Sequence, residues 1–101
     1  MNVLYTAFNG INNSSKLLLD KIESNNKLYL KNNFFSSVEA LIKEIELSDY
    51  DLIVSLGQAK LPQDTIKIEL IGSGEEFYKT KYDYNALKSL LEKNKYNYIH
   101  I

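Results

Sequence analysis

Apolar residues run almost unbroken from Val3 to Phe8, the pattern of a short strand covered on both faces, and Asn9-Gly10 with Asn12-Asn13 then break it. Asn13 or Ser14 can cap a helix that carries Leu17, Leu18, Leu19 and Ile22 and ends near Asn25-Asn26. Leu28 and Leu30 alternate with Tyr29, which predicts a second strand over 27–31. Ser36 and Glu39 have the spacing of a capping box, and Val38, Leu41, Ile42 and Ile45 recur on one helical face, so a second helix follows. Residues 51–57, Asp-Leu-Ile-Val-Ser-Leu-Gly, are opened by charge and closed by glycine, as suits the centre of a parallel sheet.

From 65 to 71 the alternation is strict, with Ile66, Ile68 and Leu70 on one side and Thr65, Lys67 and Glu69 on the other. One face of this strand is therefore wetter, and an edge or antiparallel position is expected. Gly72-Ser73-Gly74 interrupts; Tyr84, Leu87, Leu90 and Leu91 mark a third helix; 96–101 reads as a last strand. The order β-α-β-α-β-β-α-β predicts one compact α/β domain over 1–101, a three-layer sandwich with helices on both faces of the sheet. Ligands of such sheets sit beyond the carboxyl ends of the strands, which would make Phe8 and Gly57-Gln58 neighbours at one edge.

Composition narrows the function classes. With 101 residues, 45% hydrophobic and 25% charged, the chain is ordinary globular material with a single modest core. Its 12 basic residues are all lysine and the net charge is -1, with no basic stripe of the kind that neutralises a phosphate backbone, so nucleic acid is not an expected partner. Without arginine there is no bidentate fork for carboxylate or phosphate. Without cysteine there are no disulfides, thiolate metal sites or thiol nucleophiles, and with one histidine no zinc site is expected. Gly72-Ser73-Gly74 has neither a dinucleotide fingerprint nor a phosphate-loop spacing, and no Gly-x-Ser-x-Gly is present, so no cofactor is expected. The opening residues carry no basic leader, and their apolar run falls far short of the roughly 20 residues of a membrane span, which predicts a cytoplasmic protein without membrane association.

Three blocks of the sequence, in order, resemble pyroglutamyl peptidase I, the cysteine peptidases that remove N-terminal pyroglutamate. Thr6-Ala7-Phe8 leading to Ile11-Asn12-Asn13-Ser14 is similar to that family's Thr-Gly-Phe opening and the Ile-Asn-Pro-Ser at the start of its first helix. Ser55-Leu56-Gly57-Gln58-Ala59, followed by Ile68-Glu69-Leu70-Ile71, resembles the segment that holds the family's catalytic acid. Tyr98-Ile99-His100-Ile101 resembles the strand with its catalytic histidine, and Phe77-Tyr78-Lys79-Thr80 sits where the nucleophile heads a helix, so Lys79 stands in the cysteine's place.

The resemblance implies a phosphorylase/hydrolase-like mixed five-stranded sheet of order 2-1-3-5-4 with strand 4 antiparallel. It also implies Phe8 lining the pyroglutamyl ring pocket with Gln58 beside it, Glu69 orienting an imidazole, and His100 as the base. The chain departs from the family in lacking its second aromatic and Gly-Gly after the first strand, and most of the excursion after the acid-bearing strand. A competing alignment makes the chain the family's N-terminal half, in which His100 has no counterpart.

Acyl transfer by this route needs a thiolate activated by a base, and losing the nucleophile from such a unit leaves little beyond binding. Lys79 is no simple substitute, because an exposed ammonium is protonated near pH 7. The expectation is a catalytically incomplete pyroglutamyl-peptidase-like domain, inactive alone and retaining a small-ligand pocket. The alternatives are a non-enzymatic interaction or oligomerisation module, for which the tyrosines at 78, 82, 84, 96 and 98 offer a surface, and half of a split enzyme. The partners these readings leave open are a second copy or a complementary, cysteine-bearing chain.

Overall fold

The computed structural model describes residues 1–62, 65–73, 77–94 and 97–100, with backbone alone for 71–73, 77, 78 and 97–100. The chain divides into two compact units, Met1–Ala59 and Lys60–Ile101.

In the first unit, β1 (Val3–Phe8), β2 (Lys27–Leu30) and β3 (Leu52–Ser55) form a parallel three-stranded sheet of order β2-β1-β3. Tyr5 pairs with Lys27 and Phe8 with Leu30 on one side of β1, while Val3 pairs with Leu52 and Thr6 with Ser55 on the other. The apolar run of β1 earns its central place, since Leu4, Thr6 and Ala7 are all buried. Helix α1 (Ser14–Lys21) joins β1 to β2 and packs on β1, and α2 (Phe34–Leu47) joins β2 to β3 and packs on β2. The two crossovers run in opposite directions along the sheet, so the right-handed rule puts the helices on opposite faces.

Local chemistry explains the helix bounds. Asn13 caps α1, its side chain accepting from the Ser15 amide at 2.9 Å. Leu19 and Ser15, one turn apart, turn inward and are buried. The helix stops at Lys21, short of the expected Asn25-Asn26, because Ile22 turns extended. Helix α2 begins earlier than the Ser36 capping box implies: Asn33 is the cap, accepting from the Ser36 amide at 3.1 Å. Asparagine is at least as good a cap as serine, and starting there adds Phe34 and Phe35 to the helix. Tyr50 donates to the Glu44 carboxylate, which turns the chain back from α2 toward β3.

In the second unit, β4 (Thr65–Ile68) pairs with β7 (Asn97–His100), and α3 (Asn85–Lys93) packs on β7 with Leu91 turned inward. A short hairpin, β5 (Ile71–Ser73) and β6 (Phe77–Lys79), lies between them in sequence and is prolonged by a Thr80 amide to Leu70 carbonyl bond of 2.7 Å. The expected strand over 65–71 is thus two strands, and β4 runs parallel to β7 rather than antiparallel. Alternating polarity reports that one face of a strand is wet, and it carries no information about direction. No helix of the described residues is long and apolar enough to cross a membrane.

Candidate functional site

The carboxyl edge of the β2-β1-β3 sheet holds the chemistry of the first unit. The ladder continues past the strands through Asn9 N–H to Leu30 O at 2.8 Å and Leu56 N–H to Thr6 O at 2.8 Å, which carries Phe8 and Leu56 to the rim. A shallow groove of about 270 Å³, open to solvent, lies there between the sheet and α2. Phe8 and Phe34 supply its aromatic wall, and Leu30, Val38, Leu41 and Leu56 its aliphatic one. Thr6, Ser37 and Ser55 bring hydroxyls. Because β1 alternates, Thr6 and Phe8 share the face that meets α2, while Phe34, Ser37, Val38 and Leu41 recur at helical spacing opposite them.

Of the three hydroxyl residues, Thr6 and Ser37 are buried and Ser55 is exposed. Thr6 is buried and its hydroxyl donates to Ser55 Oγ at 3.2 Å. Ser37, also buried, turns its hydroxyl back on the Phe34 carbonyl at 2.9 Å. These bonds satisfy the hydroxyls locally, so the polar floor stands without strain. Sequence reasoning singled out Phe8 and passed over the rest. The available signal was a lone threonine inside an apolar strand and a serine on the inner face of an otherwise apolar helix.

Gln58 takes a different part from the one expected. It does not line the groove; its Oε1 accepts from the Ser14 amide at 2.7 Å and from the Ser14 hydroxyl at 3.1 Å. Together with Asn13 it occupies the first donors of α1, so the loop after β3 is latched to the helix that follows β1. A Cβ on Gly10 would come within 3.2 Å of Asn13 Cβ, a tighter than ordinary contact in the turn leading to that cap.

The remaining candidates belong to the second unit. Glu69 lies just beyond β4, exposed, with its carboxylate 3.3 Å from Lys67 Nζ. His100 ends β7 and its backbone is in register with Ile68, one residue before Glu69; its side chain lies outside the described residues. Lys79 is the last residue of β6 and exposed, whereas α3 begins only at Asn85, so the position aligned with the missing cysteine is at a strand end and not at the head of a helix. Tyr96 and Ile101, part of the expected final strand, fall outside the described residues.

Away from these positions, Asp20 joins α1 to β2. Its carboxylate accepts from the Tyr29 hydroxyl at 2.5 Å and from Lys16 Nζ at 3.0 Å. The Tyr29 hydrogen bond, then that of Lys16, holds the Asp20 carboxyl below its ordinary value, and the same bond raises the Tyr29 phenol. Among the described residues no group of His, Cys, Asp and Glu is arranged to hold a metal ion. Comparison with protein-family models, with curated proteins and with solved structures returned no match.

Proposed function

We propose that the chain is a catalytically incomplete, pyroglutamyl-peptidase-like domain whose retained activity is the binding of a small molecule at the carboxyl edge of its parallel sheet. The observation that carries this reading is the groove of about 270 Å³ beside Phe8, in the place where open α/β sheets bind ligands. The β2-β1-β3 order is what the first three strands of the 2-1-3-5-4 arrangement would give, whereas the parallel β4–β7 pair departs from its antiparallel strand 4. No cysteine is available for thiol attack, and the two residues in the acid and base positions, Glu69 and His100, have no nucleophile to serve.

The test is incubation of purified protein with a chromogenic L-pyroglutamyl amide, alone and with any cysteine-bearing chain that copurifies with it. No turnover is expected from the chain alone. Turnover by the pure chain overturns the reading, and turnover only with the second chain replaces it with half of a split peptidase.

A second reading, an interaction module, is favoured by one feature of α2. Val38, Ile42 and Ile45 form a stripe that stays 39%, 49% and 44% exposed, apolar surface that an isolated helix face does not usually leave to water. Sedimentation at increasing concentration tests it, a monomer throughout excluding self-association.

A further inference from the structure

We propose that Asn9-Gly10, directly after β1, is a site of spontaneous covalent modification, in which the Gly10 amide nitrogen attacks the Asn9 side chain and converts it to aspartate and isoaspartate. The sequence contains one Asn-Gly step. Glycine has no Cβ to stand in the way of so close an approach by its own backbone nitrogen.

Hydrogen bonding singles this step out. The reaction needs an unheld side-chain amide next to a backbone N–H that can lose its proton. Asn9 is exposed, and among the described residues neither its side chain nor the Gly10 N–H has a hydrogen-bond partner. Asn13-Ser14, four residues on, is the opposite case. Asn13 Oδ1 accepts from the Ser15 amide at 2.9 Å and the Ser14 N–H donates to Gln58 Oε1 at 2.7 Å, so the electrophile is held in the α1 cap and the nucleophile is occupied.

The peptide between Asn9 and Gly10 is also primed. Loss of the Gly10 amide proton moves negative charge onto the Asn9 carbonyl oxygen through peptide resonance. That oxygen accepts from Asn32 Nδ2 at 2.7 Å, a donor aimed where the charge develops.

Water and hydroxide are the only co-reactants. Hydroxide takes the Gly10 amide proton, the nitrogen bonds to Asn9 Cγ, and the side-chain nitrogen leaves as ammonia, which closes a succinimide ring. Water then opens the ring: cleavage between nitrogen and the side-chain carbonyl gives aspartate, and cleavage between nitrogen and the backbone carbonyl gives isoaspartate. Either product adds a negative charge. Isoaspartate also lengthens the main chain just ahead of the Asn13 N–H to Gly10 O bond of 3.3 Å that leads into α1.

The experiment is incubation of the whole chain in buffers of rising pH, read by isoelectric focusing and by fragmentation of the tryptic peptide Met1–Lys16. An acidic form is expected, carrying a gain of about 1 Da at residue 9 as a mixture of the two products. Its rate should rise about tenfold per pH unit, as removal of one proton requires. Asn9→Gln, with a side chain one methylene too long for the ring, should not form it. Asn32→Ala should slow it roughly tenfold without changing the pH slope. In urea, Asn13 should react as well. Modification at Asn13 ahead of Asn9 in the folded chain overturns the proposal, as does an unmodified Asn9 under conditions where the urea-unfolded chain reacts. A rate independent of pH overturns the amide attack, and an equal or faster reaction in Asn32→Ala overturns the part given to Asn32.

Discussion

Gln58 offers the sharpest test of how this molecule is built, because sequence pattern and structure give it different work. Gln58→Ala removes the acceptor for two donors, the Ser14 amide at 2.7 Å and the Ser14 hydroxyl at 3.1 Å. Both lie at the first turn of α1, where a lost cap costs about 0.5–2 kcal/mol. The site is exposed, so water replaces part of the loss, and a cost near the lower end, roughly 0.5–1 kcal/mol, is expected. For a domain of this size that lowers the midpoint of thermal unfolding by roughly 2–8 °C. Gln58→Glu keeps the acceptor and adds a negative charge at the positive end of the helix, so it should match or exceed the parent protein, with a gain that salt screens. Urea unfolding measures the magnitude, and amide hydrogen exchange locates it: Ser14 and Ser15 should exchange faster in the alanine variant while the β1 amides hold. A Gln58→Ala protein as stable as its parent, with unchanged exchange at Ser14, would refute the latch.

Three further outcomes follow from the same geometry. Leu19→Ala empties a fully buried position under α1 and should cost about 2–5 kcal/mol in urea unfolding, unfolding the first unit if its margin is small. Tyr29→Phe removes the hydrogen bond to Asp20; since the folded Asp20 carboxyl titrates below 3.8 and the folded Tyr29 phenol above 10.0, the stability gap between parent and variant should be fully open between those ordinary values. That gap should close as pH falls through the lowered Asp20 value and again as pH rises through the raised Tyr29 value, and a gap independent of pH would contradict it. Lys79→Cys places a thiol at a strand end without a helix behind it and should give no hydrolysis of a pyroglutamyl amide; activity in that variant would restore Lys79 to the cysteine's place.

The first unit was the more legible in sequence because its elements are long enough to show their period. The apolar run of Val3–Phe8 and the spacing of Val38, Leu41, Ile42 and Ile45 named β1 and α2 directly. What escaped was set by short-range competition or by contacts between distant residues. Asn33 displaced the Ser36 cap because both lie in one turn and only geometry decides between them. Gln58 reaches a helix 44 residues away, which no local pattern encodes. The β5–β6 hairpin consists of three-residue strands, one of them containing Gly72, too short and too weak in β-propensity to register. At the groove, Phe8 enters the sequence reading as a ligand contact only through the family resemblance, while the convergence of Thr6, Ser37 and Ser55 needs the packing of α2 on the sheet, a contact between distant residues.

The opposite end of the three-stranded sheet is finished very differently from the groove. Asn2 donates its amide to the Asp51 carboxylate at 2.6 Å and receives the Asn26 side-chain amide at 2.8 Å, so the approaches to β1, β2 and β3 are stitched together by one residue. Such a seam anchors the strands before they reach the rim. Loops at the far edge can then be lengthened, shortened or recut for a new guest without shifting the foundations, whereas the same edits around Asn2 would loosen all three strands together.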